Sequence, residues 1–203
     1  MERMKVMVVV GVLGVATLAG CSSSRPDGAP PPATQAEVEQ VGATAVKYRG
    51  PDLELALSYR FANLNMGMDW LLVDVAVTGS RRLAVELKRE KISLRTPDGE
   101  TVPLPSQEEL TESFSSIRAA NQRANVAAEP LRYWGGRQLC TLNFLVEPGT
   151  NIVMRSIWVN DERWCVGRLY FPLARGVQPG RYELRIDLPE SRVRVPFVLG
   201  ARG

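Results

Sequence analysis

Between residues 53 and 61 the chain alternates. Leu53, Leu55, Leu57, Tyr59 and Phe61 are apolar, and Glu54, Ala56, Ser58 and Arg60 fall between them. A period of two puts the first set on one face of a strand, so this segment is expected to pack one side against a core. The same pattern returns in Leu71, Val73, Val75 and Val77, with Asp74 and Thr78 on the other face. It returns again in Tyr182, Leu184, Ile186 and Leu188, interleaved with Arg181, Glu183, Arg185 and Asp187. Shorter apolar runs predict further strands over 83–87, 92–96, 139–146, 166–171 and 192–199. Pro196 has no amide hydrogen to give a ladder, which assigns the last of these to an edge or a bulge.

Turn residues join the strands into antiparallel pairs. Pro97-Asp98-Gly99 separates 92–96 from 101–104, and Gly99 supplies the positive φ that a tight hairpin needs. Pro179-Gly180 and Pro189-Glu190-Ser191 bracket the strand of Tyr182, predicting a C-terminal hairpin. Trp158 and Trp164, on either side of Asn160-Asp161, read as packing residues of another. One segment departs from period two. Ser106 with Glu109 three residues on forms a capping box, in which two otherwise orphaned amides are satisfied reciprocally. Leu110, Phe114, Ile117 and then Asn121 or Ala124 follow helical spacing, with Glu108, Glu112, Arg118 and Arg123 opposite. An amphipathic helix over 107–125 is expected, its apolar stripe laid on an open end or face of the sheets.

Many short strands in one domain predict two packed antiparallel sheets. The expected class is mainly β: an immunoglobulin-like antiparallel β-sandwich with one inserted amphipathic helix. In strand rhythm and in the phrase Leu71-Leu72-Val73-Asp74-Val75-Ala76-Val77, the chain is similar to small exported bacterial domains of that kind. This likeness transfers no functional residue.

The N-terminal residues carry a different signal. Arg3 and Lys5 precede an apolar run over 6–18, suited to an export signal and too short to span a bilayer core of ~30 Å comfortably. The run ends in Leu18-Ala19-Gly20-Cys21, which resembles the lipobox of bacterial lipoproteins. The resemblance implies a thioether-linked diacylglycerol on Cys21 and cleavage just before it. The membrane is then the first partner, reached through acyl chains whose buried methylenes contribute about 0.8 kcal/mol each. Ser22, standing where Asp would favour the inner membrane, implies the outer membrane in a bacterium that has two.

Residues 1–20 are thus expected to be a lipoprotein signal peptide, 21–37 a tether and 38–203 a single domain. The tether holds Ser22-Ser23-Ser24, Pro26, Asp27-Gly28 and Pro30-Pro31-Pro32, too few apolar side chains to offset the entropy of ordering. Fully extended at ~3.1 Å per residue, its residues 22–36 reach about 45 Å.

Export also bears on the remaining cysteines. With Cys21 lipidated, Cys140 and Cys165 are left, and an even pair in an oxidising compartment predicts a disulfide. Two buried free thiols are the competing structural reading. A metal or redox role is disfavoured, since the chain has no His and no close Cys-x-x-Cys spacing.

Composition narrows the chemistry further. The 203 residues carry 25 basic and 22 acidic side chains, net +3, scattered rather than clustered, so no nucleic-acid partner is expected. Without His there is no Ser-His-Asp triad, Cys-His dyad or His-based zinc site. Asn65-Met66-Gly67 and Gly135-Gly136 lack the strand, Lys and helix of a phosphate-binding loop, and no cofactor is expected. Two segments suit partner contact: Met66, Met68 and Trp70 in 63–70, and Tyr133 with Trp134 beside two glycines. The reading favoured is a non-catalytic envelope lipoprotein that binds a protein partner or supports envelope assembly. The alternative is a carboxylate-dependent hydrolase of envelope glycan or peptide.

Overall fold

In the computed structural model, which describes residues 36–129, 131, 133 and 136–200, alternation along the C-terminal hairpin becomes alternation in burial, whereas the segments of Leu55 and Val75 are buried on both faces. The signal peptide, Cys21, nearly all of the tether and Trp134 lie outside the described residues. The first four strands are β1 (Glu37–Gln40), β2 (Ala45–Arg49), β3 (Leu53–Ser58) and β4 (Trp70–Gly79), with helix α1 (Arg60–Leu64) between the last two. There follow β5 (Val85–Lys88), β6 (Ile92–Arg95), β7 (Thr101–Pro103) and helix α2 (Gln107–Ala127). The chain continues with β8 (Gln138–Thr141), β9 (Ser156–Val159), β10 (Arg163–Pro172), β11 (Gly180–Asp187) and β12 (Arg192–Leu199).

These strands form a six-stranded sheet in the order β1-β2-β3-β4-β10-β8, a four-stranded sheet β12-β11-β6-β7, and a two-stranded ribbon β5-β9. One core joins the two larger sheets. Leu55, Leu57, Val73 and Val75 of the first share it with Leu94, Leu184, Ile186 and Val195 of the second. Each such side chain contributes roughly 1.5–3 kcal/mol on burial. The chain is therefore mainly β, with sheets built largely from antiparallel pairs around a common interior. The strand order is a meander: β1 to β4 are successive neighbours in one sheet, not divided between sheets as in an immunoglobulin domain.

Several sequence expectations are met closely. β6 and β7 pair antiparallel across a turn in which Gly99 has φ +89°. β11 and β12 form the C-terminal hairpin, and Pro196 lies on β12 at the sheet's edge. Helix α2 starts at the capping box, with Ser106 Oγ accepting from the Glu109 amide at 3.1 Å and the Glu109 carboxylate accepting from the Ser106 amide at 2.6 Å. Its buried stripe is Leu110, Phe114, Ile117, Ala120, Asn121 and Ala124. Cys140 and Cys165 are joined in a disulfide, their Cα atoms 4.4 Å apart. They are register partners in the β8–β10 pair.

Other expectations are corrected. The strand begun at Leu53 stops at Ser58, because Tyr59 opens α1, where Phe61 and Ala62 are buried by a helical turn instead. The 139–146 run forms a strand only to Thr141, and it pairs with β10 in parallel rather than antiparallel. A parallel partner requires a long crossover, and residues 142–162 supply it while placing Leu142, Phe144 and Leu145 in the core. Trp158 and Trp164 do not face each other in a hairpin. β9 leaves to pair with β5, whereas β10 pairs with β4. Trp164 is buried as expected, but Trp158 is 56% exposed.

Candidate functional site

The register of β10 against β4 sets Arg168 beside Asp74. Alternation then decides what each face carries. Leu169 and Phe171 point with Val73 and Leu71 into the shared core. Arg168 and Tyr170 belong to the opposite face, which holds the small cluster of Ala56, Ala76, Leu131 and Trp164. Helix α2 lies over this face.

Arg168 Nε donates to Asp74 Oδ1 at 2.8 Å, and Nη2 to Oδ2 at 3.4 Å. Its Nη1 reaches the helix, donating to Asn121 Oδ1 at 2.8 Å, to the Asn121 carbonyl at 3.3 Å and to Asn125 Oδ1 at 2.7 Å. The Tyr170 hydroxyl also donates to Asn121 Oδ1, at 2.8 Å. Asn121 therefore occupies a position in the helix's apolar stripe because it faces a guanidinium and a phenol. A buried polar side chain there is tolerated only when its oxygen is satisfied, as this one is twice over, by Arg168 and by Tyr170. Burial above all pushes the Tyr170 phenol above its ordinary pKa, against the opposing pull of the Arg168 charge.

A second acid fastens the segment after α2. Glu129 accepts from Thr44 Oγ1 at 2.9 Å and from Ser58 Oγ at 3.0 Å, tying that segment to β3 and to the turn before β2. Between helix, sheet and the 139–151 segment is a cleft of about 550 Å³, lined by Asn121, Asn125, Glu129, Leu139, Thr141 and Trp164, with Asp74 and Arg168 also contributing. Such a lining of amides, hydroxyls and apolar surface suits non-covalent contact. Among the described residues no group of His, Cys, Asp or Glu is arranged to hold a metal ion.

The residues expected to make partner contact are placed elsewhere. Met66 is exposed after α1, while Met68 packs against the core and Trp70, at 8% exposure, is part of it. Their loop is clamped. The Gly67 amide donates to the Val177 carbonyl, the Val177 amide to the Met68 carbonyl and the Leu173 amide to the Asp69 carbonyl, each at 2.7 Å. Met68 and Trp70 thus pack within the fold, and of the three only Met66 is exposed. Tyr133 is 39% exposed; partial burial, followed by the charge of Glu129, raises its pKa. None of Met66, Met68, Trp70 and Tyr133 lines the cleft.

A polar residue on an alternating strand is ordinarily solvated, so the sequence does not mark Asp74 or Arg168 as members of a cleft. Two signals were present: Arg168 inside the apolar run 166–171, and Asn121 at an apolar helical position. Comparison with models of known families, with curated proteins and with solved structures returns no match.

Proposed function

We propose that this chain is a lipid-anchored protein of the bacterial cell envelope, whose β domain binds a protein partner or supports an envelope assembly without catalysis. The observation that carries the proposal is Leu18-Ala19-Gly20-Cys21 directly after an apolar leader. The Cys140–Cys165 disulfide supports it, because such bonds persist in oxidising compartments. The diacylglycerol on Cys21 holds the domain at a membrane, the outer one where there are two. The partner is another envelope protein.

A carboxylate-dependent hydrolase would need two acids facing each other across bound substrate. Of the three acids lining the cleft, Asp74, Glu129 and Glu147, Asp74 is engaged by Arg168, and Glu129 by Thr44 and Ser58. Those bonds favour binding over catalysis. Fractionation of cells expressing the full chain tests the anchoring. Wild type is expected with the outer membrane, and Cys21→Ala among soluble periplasmic proteins or as uncleaved precursor; identical distributions of mature protein would contradict the proposal. In crosslinked membranes the wild type is expected to capture the same neighbour repeatedly.

A further inference from the structure

We infer that the end of the domain through which the chain enters is a bilayer-docking surface, with Trp158 and Leu83 seated in the membrane's interfacial zone. The inference rests on the lipid anchoring proposed above. The chain enters at β1, where Glu37 pairs with Arg49. Arg49 in turn lies opposite Glu54, and Leu53 opposite Gly79. The next loops are stitched together at the same end. The Ser80 amide donates to the Asp52 carbonyl at 2.9 Å, Gly79 to Asn160 at 3.1 Å and Asp161 to Arg81 at 3.0 Å. Loops 50–52, 80–84 and 160–162 therefore lie at the same end of the sheet as the point of entry.

This end carries apolar surface that the fold leaves in solvent. Leu83 is 80% exposed and Trp158 is 56% exposed, and both line one groove of about 200 Å³ with Arg81, Leu188 and Pro189. A single exposed Leu is ordinary, but a largely exposed indole beside it is not. Indole, apolar in body with one N–H donor, is enriched where hydrocarbon meets headgroups. Only about 16 residues separate Cys21 from Glu37, so even fully extended at ~3.1 Å per residue they keep this end within about 50 Å of the lipid. With the lipid inserted, this end is held at high effective concentration near the bilayer, where a weak apolar contact suffices.

Charge argues for apolar docking rather than attraction to anionic lipid. Asp52, Glu86 and Glu190 share the groove with Arg81, and Glu86 is paired with Lys88 at 3.3 Å. Arg82 and Arg163 are exposed nearby, as is Glu162. Docking is therefore expected to depend little on salt.

The test uses the full lipidated chain in phosphatidylethanolamine–phosphatidylglycerol vesicles containing lipids brominated on their acyl chains, which quench tryptophan at the interface. Wild-type fluorescence is expected to be quenched, Trp158→Phe to lose most of that quenching and Leu83→Ser to reduce it several-fold, with little change between low and high salt. Equal quenching in wild type and Trp158→Phe, or none in wild type, would overturn the inference when the same sample carries diacylglycerol by mass spectrometry. An unmodified Cys21 would overturn the anchoring and the inference with it. A protein partner covering Trp158 would show as loss of wild-type crosslinking in Trp158→Phe without bromolipid quenching, which also contradicts bilayer docking.

Discussion

Arg168 and Asp74 face each other across the two longest neighbouring strands, Nε to Oδ1 at 2.8 Å, and the same guanidinium reaches α2 through Asn121 and Asn125. One side chain thus joins sheet to helix. Both partners are largely buried, with side-chain exposures of 11% and 19%. Removing one member of such a pair leaves a charge without its counterion in low dielectric, whereas removing both does not. Arg168→Met is expected to lower unfolding free energy by about 3–5 kcal/mol. Arg168→Met combined with Asp74→Leu is expected to recover much of that loss. Urea denaturation of the two variants checks this, and equal losses would contradict the claim that the unpaired Asp74 charge is what destabilises Arg168→Met.

The disulfide is expected to act mainly on the unfolded chain. Cys140 and Cys165 are 25 residues apart in sequence, and closing a loop of that size contributes about 3–4 kcal/mol in the chain-entropy model. Cys140→Ala with Cys165→Ala should lower the denaturation midpoint accordingly while leaving the far-ultraviolet circular dichroism spectrum native.

Low pH should release the start of α2. The Glu109 carboxyl is held below the usual carboxylate range, first by the Ser106 amide and then by the Ser106 hydroxyl. A depressed folded pKa gives stability that is full above the unfolded value, near 4.3, and lost as pH falls through the folded one. Glu109→Gln should therefore be less stable than wild type at pH 7 and converge with it below that range. Melting curves across pH 2–7 check the sign. Ser106→Ala is expected to cost about 1 kcal/mol at neutral pH.

Close packing beneath β10 depends on Gly167. A Cβ there would lie 2.5 Å from the Leu142 carbonyl oxygen and 2.7 Å from its Cβ, so Gly167→Ala requires the crossover segment to shift. Overpacking of this kind costs about 1–3 kcal/mol, readable as a lower urea midpoint.

What was legible in the sequence follows from how each element is stabilised. β11 is buried on one face, so alternation displays it directly; β4 is buried on both faces, and its alternating Leu and Val positions mark only the face turned to the shared core. β1 is exposed at all four residues and has no burial pattern to display. Helix α1 has no side-chain cap hydrogen bond at Tyr59, so the period-two reading ran on through Phe61. The crossover that makes β8 parallel to β10 is a long-range event: the turn at Pro148-Gly149 shows that the chain reverses there but not which strand β8 will pair with. The cleft was hidden for a related reason: Asp74 becomes partly buried and paired only once α2 is laid over its face of the sheet.

Intact-mass measurement of the mature chain recovered from host membranes tests the anchoring of Cys21 most directly. The expected species begins at Cys21 and carries a diacylglyceryl thioether, with the Cys140–Cys165 bond intact. A mature chain with an unmodified Cys21 thiol, or one beginning at another residue, would contradict it.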